Sequence, residues 1–294
     1  MTVVDSHLHV WDPGLAAYDW LGPAMSPVDR AMRFRDARPA LRRAQVTAAV
    51  LVQAADNDAD TDLMLATAAR NPEVVGVVAW VPLDDPDRAR ARLTVLRHDP
   101  HVVGVRTLLH ERSDPEWILG SDAGAGLALL AEAGLTFDYP TSSPAALRHL
   151  PELAARHPTL RLVVDHLGKP PVGGGREERA EWHRLIAAAA QHPRVHAKVS
   201  GLYSASGALD AWTTDEVRPF VEDALELFGP ERLMYGGDWP ISVLAGGYAR
   251  TWEAVCELLA PLAPDDRAAV LGGTAARCYR LDPALLDAAH DAAV

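Results

Sequence analysis

Short apolar runs rich in β-branched residues alternate along most of the chain with longer stretches of helical periodicity, and proline marks the boundaries. Asn71-Pro72, Asp99-Pro100, His157-Pro158, His192-Pro193 and Gly229-Pro230 each close a helical stretch, and an apolar run begins two or three residues later. Proline cannot continue a helix, and it drives the preceding residue out of the helical region. Ala133-Gly134-Leu135 punctuates in the same way with a terminal glycine. The strands so predicted are 3–6, 48–53, 74–80, 102–108, 135–139, 160–165, 195–200 and 233–236. They are apolar nearly throughout, as strands of a parallel sheet covered by helices should be. Helices are predicted near 37–45, 60–70, 86–98, 124–133, 144–156, 177–191, 215–228 and 250–260. Leu147, Leu150, Leu153 and Ala154 form the expected stripe of one.

Eight strand–helix units in series predict an α/β fold, a (β/α)8 TIM barrel spanning residues 1–294 as a single domain. A further helix at 265–280 is expected beneath or beside it. A doubly wound open sheet is the rival, disfavoured because eight such units close on themselves without a second domain.

Composition narrows the function classes. A formal net charge of −12 opposes a nucleic-acid surface, which needs clustered Lys and Arg. No basic segment precedes an apolar run at the start, and no stretch of about 18 apolar residues exists to span a membrane. The expectation is a cytoplasmic enzyme without membrane or nucleic-acid partners, with a homo-oligomer left open. Cys256 and Cys278 are expected as buried free thiols.

Candidate chemistry gathers at the strand ends. Val3-Val4-Asp5-Ser6-His7-Leu8-His9-Val10 runs from a strand into two histidines spaced i, i+2, which places both imidazoles on one face. Such a pair can share a metal or a substrate. Gln53, Trp80, Arg106, Asp138, Asp165-His166, Lys198, Ser200 and Asp238-Trp239 end the remaining strands. In a barrel these converge on one mouth. Asp238 can ligate a metal or take a proton from water. Arg106 can fork onto a carboxylate or an oxyanion, and Lys198 with Asp138 can equally form an internal ion pair. Two long or flexible loops, 11–35 with Trp11, Tyr18 and Trp20, and 172–176, are expected at the same mouth.

These motifs together resemble the amidohydrolase superfamily, specifically the amidohydrolase-2 group with its L-fuconolactonase-like and 2-pyrone-4,6-dicarboxylate lactonase-like members. Asp5-Ser6-His7-Leu8-His9-Val10-Trp11-Asp12-Pro13, Val52-Gln53-Ala54, Gly104-Val105-Arg106, Asp165-His166-Leu167-Gly168-Lys169-Pro170, Lys198-Val199-Ser200-Gly201-Leu202 and Gly237-Asp238-Trp239-Pro240 carry the resemblance, with Gly272-Gly273 through Leu281 as the closing helix. Strand four offers Arg106 where fully metal-dependent members place lysine. Strand five reads Phe137-Asp138-Tyr139 without a ligand histidine, and Thr107 replaces a histidine common in fuconolactonase-like members.

The resemblance implies a hydrolase opening a small lactone, a sugar-acid lactone such as L-fuconolactone first. Asp238, His166 and Arg106 are then expected as catalytic residues. Trp11, Gln53, Trp80, Asp138, Lys169 and Trp239 are expected to bind substrate, with Trp11, Tyr18 and Trp20 covering the mouth. His7, His9 and Asp238 are expected to hold a divalent metal, zinc by preference, at modest affinity and without turnover necessarily depending on it. The alternatives are a zinc-dependent amidohydrolase or decarboxylase of the same superfamily and a non-catalytic small-molecule-binding barrel.

Overall fold

The computed structural model describes residues 2–205 and 207–293. Eight parallel strands follow one another around a single sheet in the order of the sequence. They are β1 (Val4–Leu8), β2 (Ala48–Val52), β3 (Val74–Ala79), β4 (Val102–Arg106), β5 (Thr136–Tyr139), β6 (Arg161–Val164), β7 (Val195–Val199) and β8 (Leu233–Tyr235). A bridge between Leu8 and Trp239 closes the ring. There the His9 amide donates to the Trp239 carbonyl and the Asp238 amide to the His7 carbonyl, each at 2.7 Å. The fold is the expected (β/α)8 barrel; β2–β4 and β6–β8 end one or two residues earlier than predicted, β5 ends at the predicted residue and β1 runs two residues further.

The surrounding helices are α1 (Phe34–Arg43), α2 (Asp58–Ala68), α3 (Pro86–Leu96), α4 (Ser121–Ala133), α5 (Leu150–Arg156), α6 (Arg176–Ala190) and α7 (Thr214–Phe228). After β8 come α8 (Ile241–Leu244), α9 (Tyr248–Leu259), α10 (Pro264–Ala268), α11 (Thr274–Tyr279) and α12 (Pro283–Ala293). Polar caps start several of them: Asn57 accepts from the Asp60 amide, and Thr213 and Glu216 cap each other reciprocally.

The structure corrects two helical expectations and adds a helix. The predicted helix 144–156 is a 3-10 turn, Pro144–His149, followed by α5, because Pro151 has no N–H to continue the ladder. The predicted helix 265–280 breaks into α10, a π-turn at Ala269–Gly273 and α11. Gly272 lies there against the Thr2 carbonyl, too close for a side chain. Helix α12 was not legible in the periodicity.

Two apolar clusters build the core. Val50, Val75, Val163 and Met234 fill the barrel interior and continue into Cys278, Tyr279 and Leu281, so the last helices plug the end where the strands begin. Leu51, Val77, Phe137, Leu162, Trp182 and Phe220 belong to the layer between strands and helices. Cys278 is a buried free thiol as expected, whereas Cys256 is only half-buried.

One irregularity aims the first histidines. Val4 belongs to the interior cluster and Leu8 to the outer one, although strict alternation would put both on one face. The register slips between Asp5 and Leu8, a bulge that switches parity and turns His7 and His9 inward.

Candidate active site and metal cluster

A cavity of about 230 Å³ opens at the ends of the strands. Its lining includes His9, Arg106, His166, Lys169 and Asp238, together with Trp11 and Trp20 from the first loop.

The floor is a three-ligand cluster of buried side chains. Nε2 of His7 and Nε2 of His9 lie 3.1 Å apart, and Oδ1 of Asp238 is 3.8 Å from the former and 3.6 Å from the latter. Ligands around a tetrahedral zinc at 2.0–2.1 Å stand about 3.3 Å from one another. The donor set therefore fits a divalent ion with three protein ligands and an open position, the pattern of catalytic rather than structural zinc. Nδ1 of His9 donates to the Val52 carbonyl at 2.7 Å, which leaves its Nε2 bare toward the cluster. Asp238 has a φ of 50°, a left-handed conformation tolerated by Asp. Backbone bonds to His7 and from the Ser242 amide hold it there.

His166 and Lys169 arrive by another route. Residues 166–169 run through four consecutive left-handed conformations, with φ of 55°, 50°, 72° and 56°. Each non-glycine in this region costs on the order of 1 kcal/mol, and such strain is concentrated at working sites. The run is held by the Lys169 amide on the His166 carbonyl at 2.9 Å and by the Trp182 indole on the Leu167 carbonyl at 2.8 Å. Nδ1 of His166 meets the Ser200 hydroxyl at 2.8 Å. Gly201, at φ 57°, packs so tightly on the His166 ring that no Cβ fits.

Electrostatics sets the protonation. Burial, reinforced by the Lys169 and Arg106 charges against the pull of Asp238, lowers His166 to about 3, so it is neutral near pH 7. Burial alone would raise the Asp238 carboxyl, but the neighbouring imidazoles of His166, His9 and His7 outweigh it and hold the group below the usual carboxylate range. Burial also pulls the Lys169 ammonium below its ordinary value, with Asp238 opposing. Arg106 is braced from behind: its Nε pairs with Asp165 Oδ2 at 2.9 Å and one terminal amine donates to the Gln53 carbonyl at 2.8 Å.

Four residues expected to bind substrate lie off the cavity lining. Gln53 donates to Asp56 at 2.9 Å and to the Arg106 carbonyl at 3.1 Å, bracing strand ends. Trp239 is buried in the outer apolar layer, and Trp80 is buried outside both apolar clusters. Asp138 is fully buried inside the barrel, accepting from Lys198 Nζ and from the Tyr279 hydroxyl, each at 2.6 Å. Of the loop aromatics, Trp11 and Trp20 line the cavity and pack edge to face at 5.1 Å. Tyr18 instead donates to Asp60 at 2.7 Å, and both indoles are bonded to backbone carbonyls, so this loop is a fixed wall. None of residues 172–176 lines the cavity.

The sequence reading missed His110, Thr141 and Ser142, which line the cavity from the loops after β4 and β5. Their only signal was position just past a predicted strand. It also missed Tyr203, whose buried hydroxyl is kept protonated by burial and by the charge of Asp238.

Strand-end histidines, a carboxylate after the eighth strand and a cavity at the barrel mouth define a barrel hydrolase site, and the chain belongs to the amidohydrolase family, whose model matches residues 4–281. Two curated relatives are both L-fucono-1,5-lactonases. The one from Burkholderia ambifaria is 36% identical over 95% of this chain and 96% of its own length. The one from Burkholderia multivorans is 31% identical over 95% and 96%. Among solved structures, an amidohydrolase from Burkholderia multivorans with bound zinc superposes with a TM-score of 0.89 at 29% identity, covering 96% of this chain and all of that one.

Proposed function

We propose that this chain hydrolyses a sugar-acid lactone, with L-fucono-1,5-lactone as the first candidate. The single observation that carries the reading is that His9 and Asp238 of the His7–His9–Asp238 cluster line one cavity together with the cationic pair Arg106 and Lys169 and two tryptophans. The sequence relatives named above support the same reaction class and the choice of sugar.

Lactone opening needs an attacking water, a place for charge on the carbonyl oxygen and a proton for the departing ring oxygen. Asp238, an ionised carboxylate, accepts the proton of the attacking water. Arg106 and Lys169 face the developing oxyanion with charged donors inside a site shielded from bulk water. Neutral His166, oriented by Ser200, can donate a hydrogen bond to the carbonyl from Nε2. The proton gained by Asp238 then passes to the leaving alkoxide as the ester C–O bond breaks, and a single open-chain hydroxy acid is released.

His7, His9 and Asp238 are the residues that would hold a divalent ion, zinc by preference. When bound, such an ion supplies Lewis acidity and lowers the pKa of water in contact with it. Trp11 and Trp20 offer apolar faces to the sugar ring.

A panel of five- and six-membered aldonolactones, followed by a pH indicator, tests the reading. L-Fucono-1,5-lactone should be hydrolysed well above background. No acceleration on any member of the panel, with or without added zinc, would end the proposal.

A further inference from the structure

We propose that Lys198 weakens the hold of the His7–His9–Asp238 cluster on a divalent cation, by competing with Asp165 for Nδ1 of His7. The inference rests on those three residues being a cation site. It does not depend on which lactone is turned over.

Lys198 projects from β7 into the barrel and is wholly buried. Its Nζ reaches Asp138 Oδ2 at 2.6 Å, Asp165 Oδ1 at 3.0 Å and His7 Nδ1 at 3.0 Å. An ammonium has three donors and no acceptor, so the contact with His7 works only if Nδ1 carries the lone pair. The single proton of the neutral ring then sits on Nε2. That is the atom directed at His9 and Asp238, and a cation there requires it bare.

Asp165 demands the opposite. Its Oδ1 lies 3.3 Å from the same Nδ1, out of line for a hydrogen bond, and as a carboxylate it can only accept. Lys198 therefore selects the tautomer protonated at Nε2, and Asp165 the one protonated at Nδ1. A cation bound at Nε2 shifts the ring proton to Nδ1, so the imidazole stays neutral. It satisfies Asp165 and leaves an N–H facing the Lys198 ammonium. Lys198 cannot withdraw cheaply, because Asp138 anchors it and is itself held by Tyr279 at 2.6 Å and Thr136 at 3.1 Å. A partner of a ligand histidine usually strengthens the metal site by accepting from the ring. Here the better-aligned partner is a donor, and it acts against the metal.

The test replaces the buried ion pair without changing net charge, in a Lys198→Met, Asp138→Asn double variant. Zinc is the probe, and its affinity is read by competition with a chromophoric chelator. The double variant should bind zinc at least about 10-fold more tightly than the wild type, the usual lower limit for partners of a ligand histidine. Equal or weaker binding by the folded variant overturns the proposal. The second measurement uses wild-type protein with ¹⁵N-labelled histidine, His7 being assigned by its loss in His7→Gln. After chelator treatment His7 should be protonated at Nε2, and one equivalent of zinc should convert it to the Nδ1-protonated form. A His7 already protonated at Nδ1 before zinc is added overturns the proposal, whether or not the double variant folds. Neither readout uses lactone turnover, so failure of the proposed reaction and failure of this inference remain distinguishable.

Discussion

Asp238→Asn is the sharpest test of the chemistry, because it removes basicity and charge while keeping shape. Asn tolerates the left-handed conformation at φ 50°, and the backbone bonds to His7 and from the Ser242 amide do not involve the side chain. The fold should therefore survive with an unchanged thermal midpoint. A general base contributes about 10²–10⁴-fold to turnover. Asp238 is held below the usual carboxylate range, which makes it a weaker base and places the loss toward the lower end. The expected fall in kcat is about 100-fold, or about 2.7 kcal/mol of activation free energy. The variant also leaves Lys169 without the carboxylate that raises its pKa, so the alkaline limb of the residual activity should move to lower pH. The assay is indicator-detected acid release from L-fucono-1,5-lactone at saturating substrate, across pH and with zinc added to both proteins. Zinc matters because the substitution also removes one ligand of the cluster. Turnover within about threefold of wild type, with the fold intact, would refute Asp238 as the base.

Acid stability should depend on His166. Its folded pKa, about 3, lies below the unfolded value of 6.5, so the unfolded chain binds the extra proton between those limits and stability falls as pH drops through that window. Between pH 6.5 and 5 the loss is about 2 kcal/mol, so urea unfolding should show His166→Asn gaining on wild type by that amount between pH 7 and pH 5. Dialysis against a chelator should strip bound metal, measured by elemental analysis, and returning zinc to 100 times its Kd should raise unfolding free energy by about 2.7 kcal/mol. Trp20→Ala should raise KM about fivefold with kcat little changed, the equivalent of one aromatic contact of about 1 kcal/mol. A fall in kcat at unchanged KM would instead mean that Trp20 serves the transition state.

The eight strands and their order were legible because local physics marks them. Proline and glycine end each helix where the chain must turn, and a strand buried on both faces has to be apolar along its whole length. The shared face of His7 and His9 was legible for a similar reason, since side chains two apart along regular extended backbone point the same way. Which polar strand ends reach the cavity was not local information. Asp138 and Lys198 point into the barrel like Asp238, yet they meet each other beneath the cluster, because their depth is set by where each strand stands against its neighbours around the closed ring. Trp239 turns into the outer apolar layer for the same reason. The bulge in β1 and the left-handed run at residues 166–169 are conformations that the surrounding packing imposes against local preference. His110, Thr141 and Ser142 sit on loops without periodicity, and only closure of the barrel carries them to the cavity wall beside Asp238.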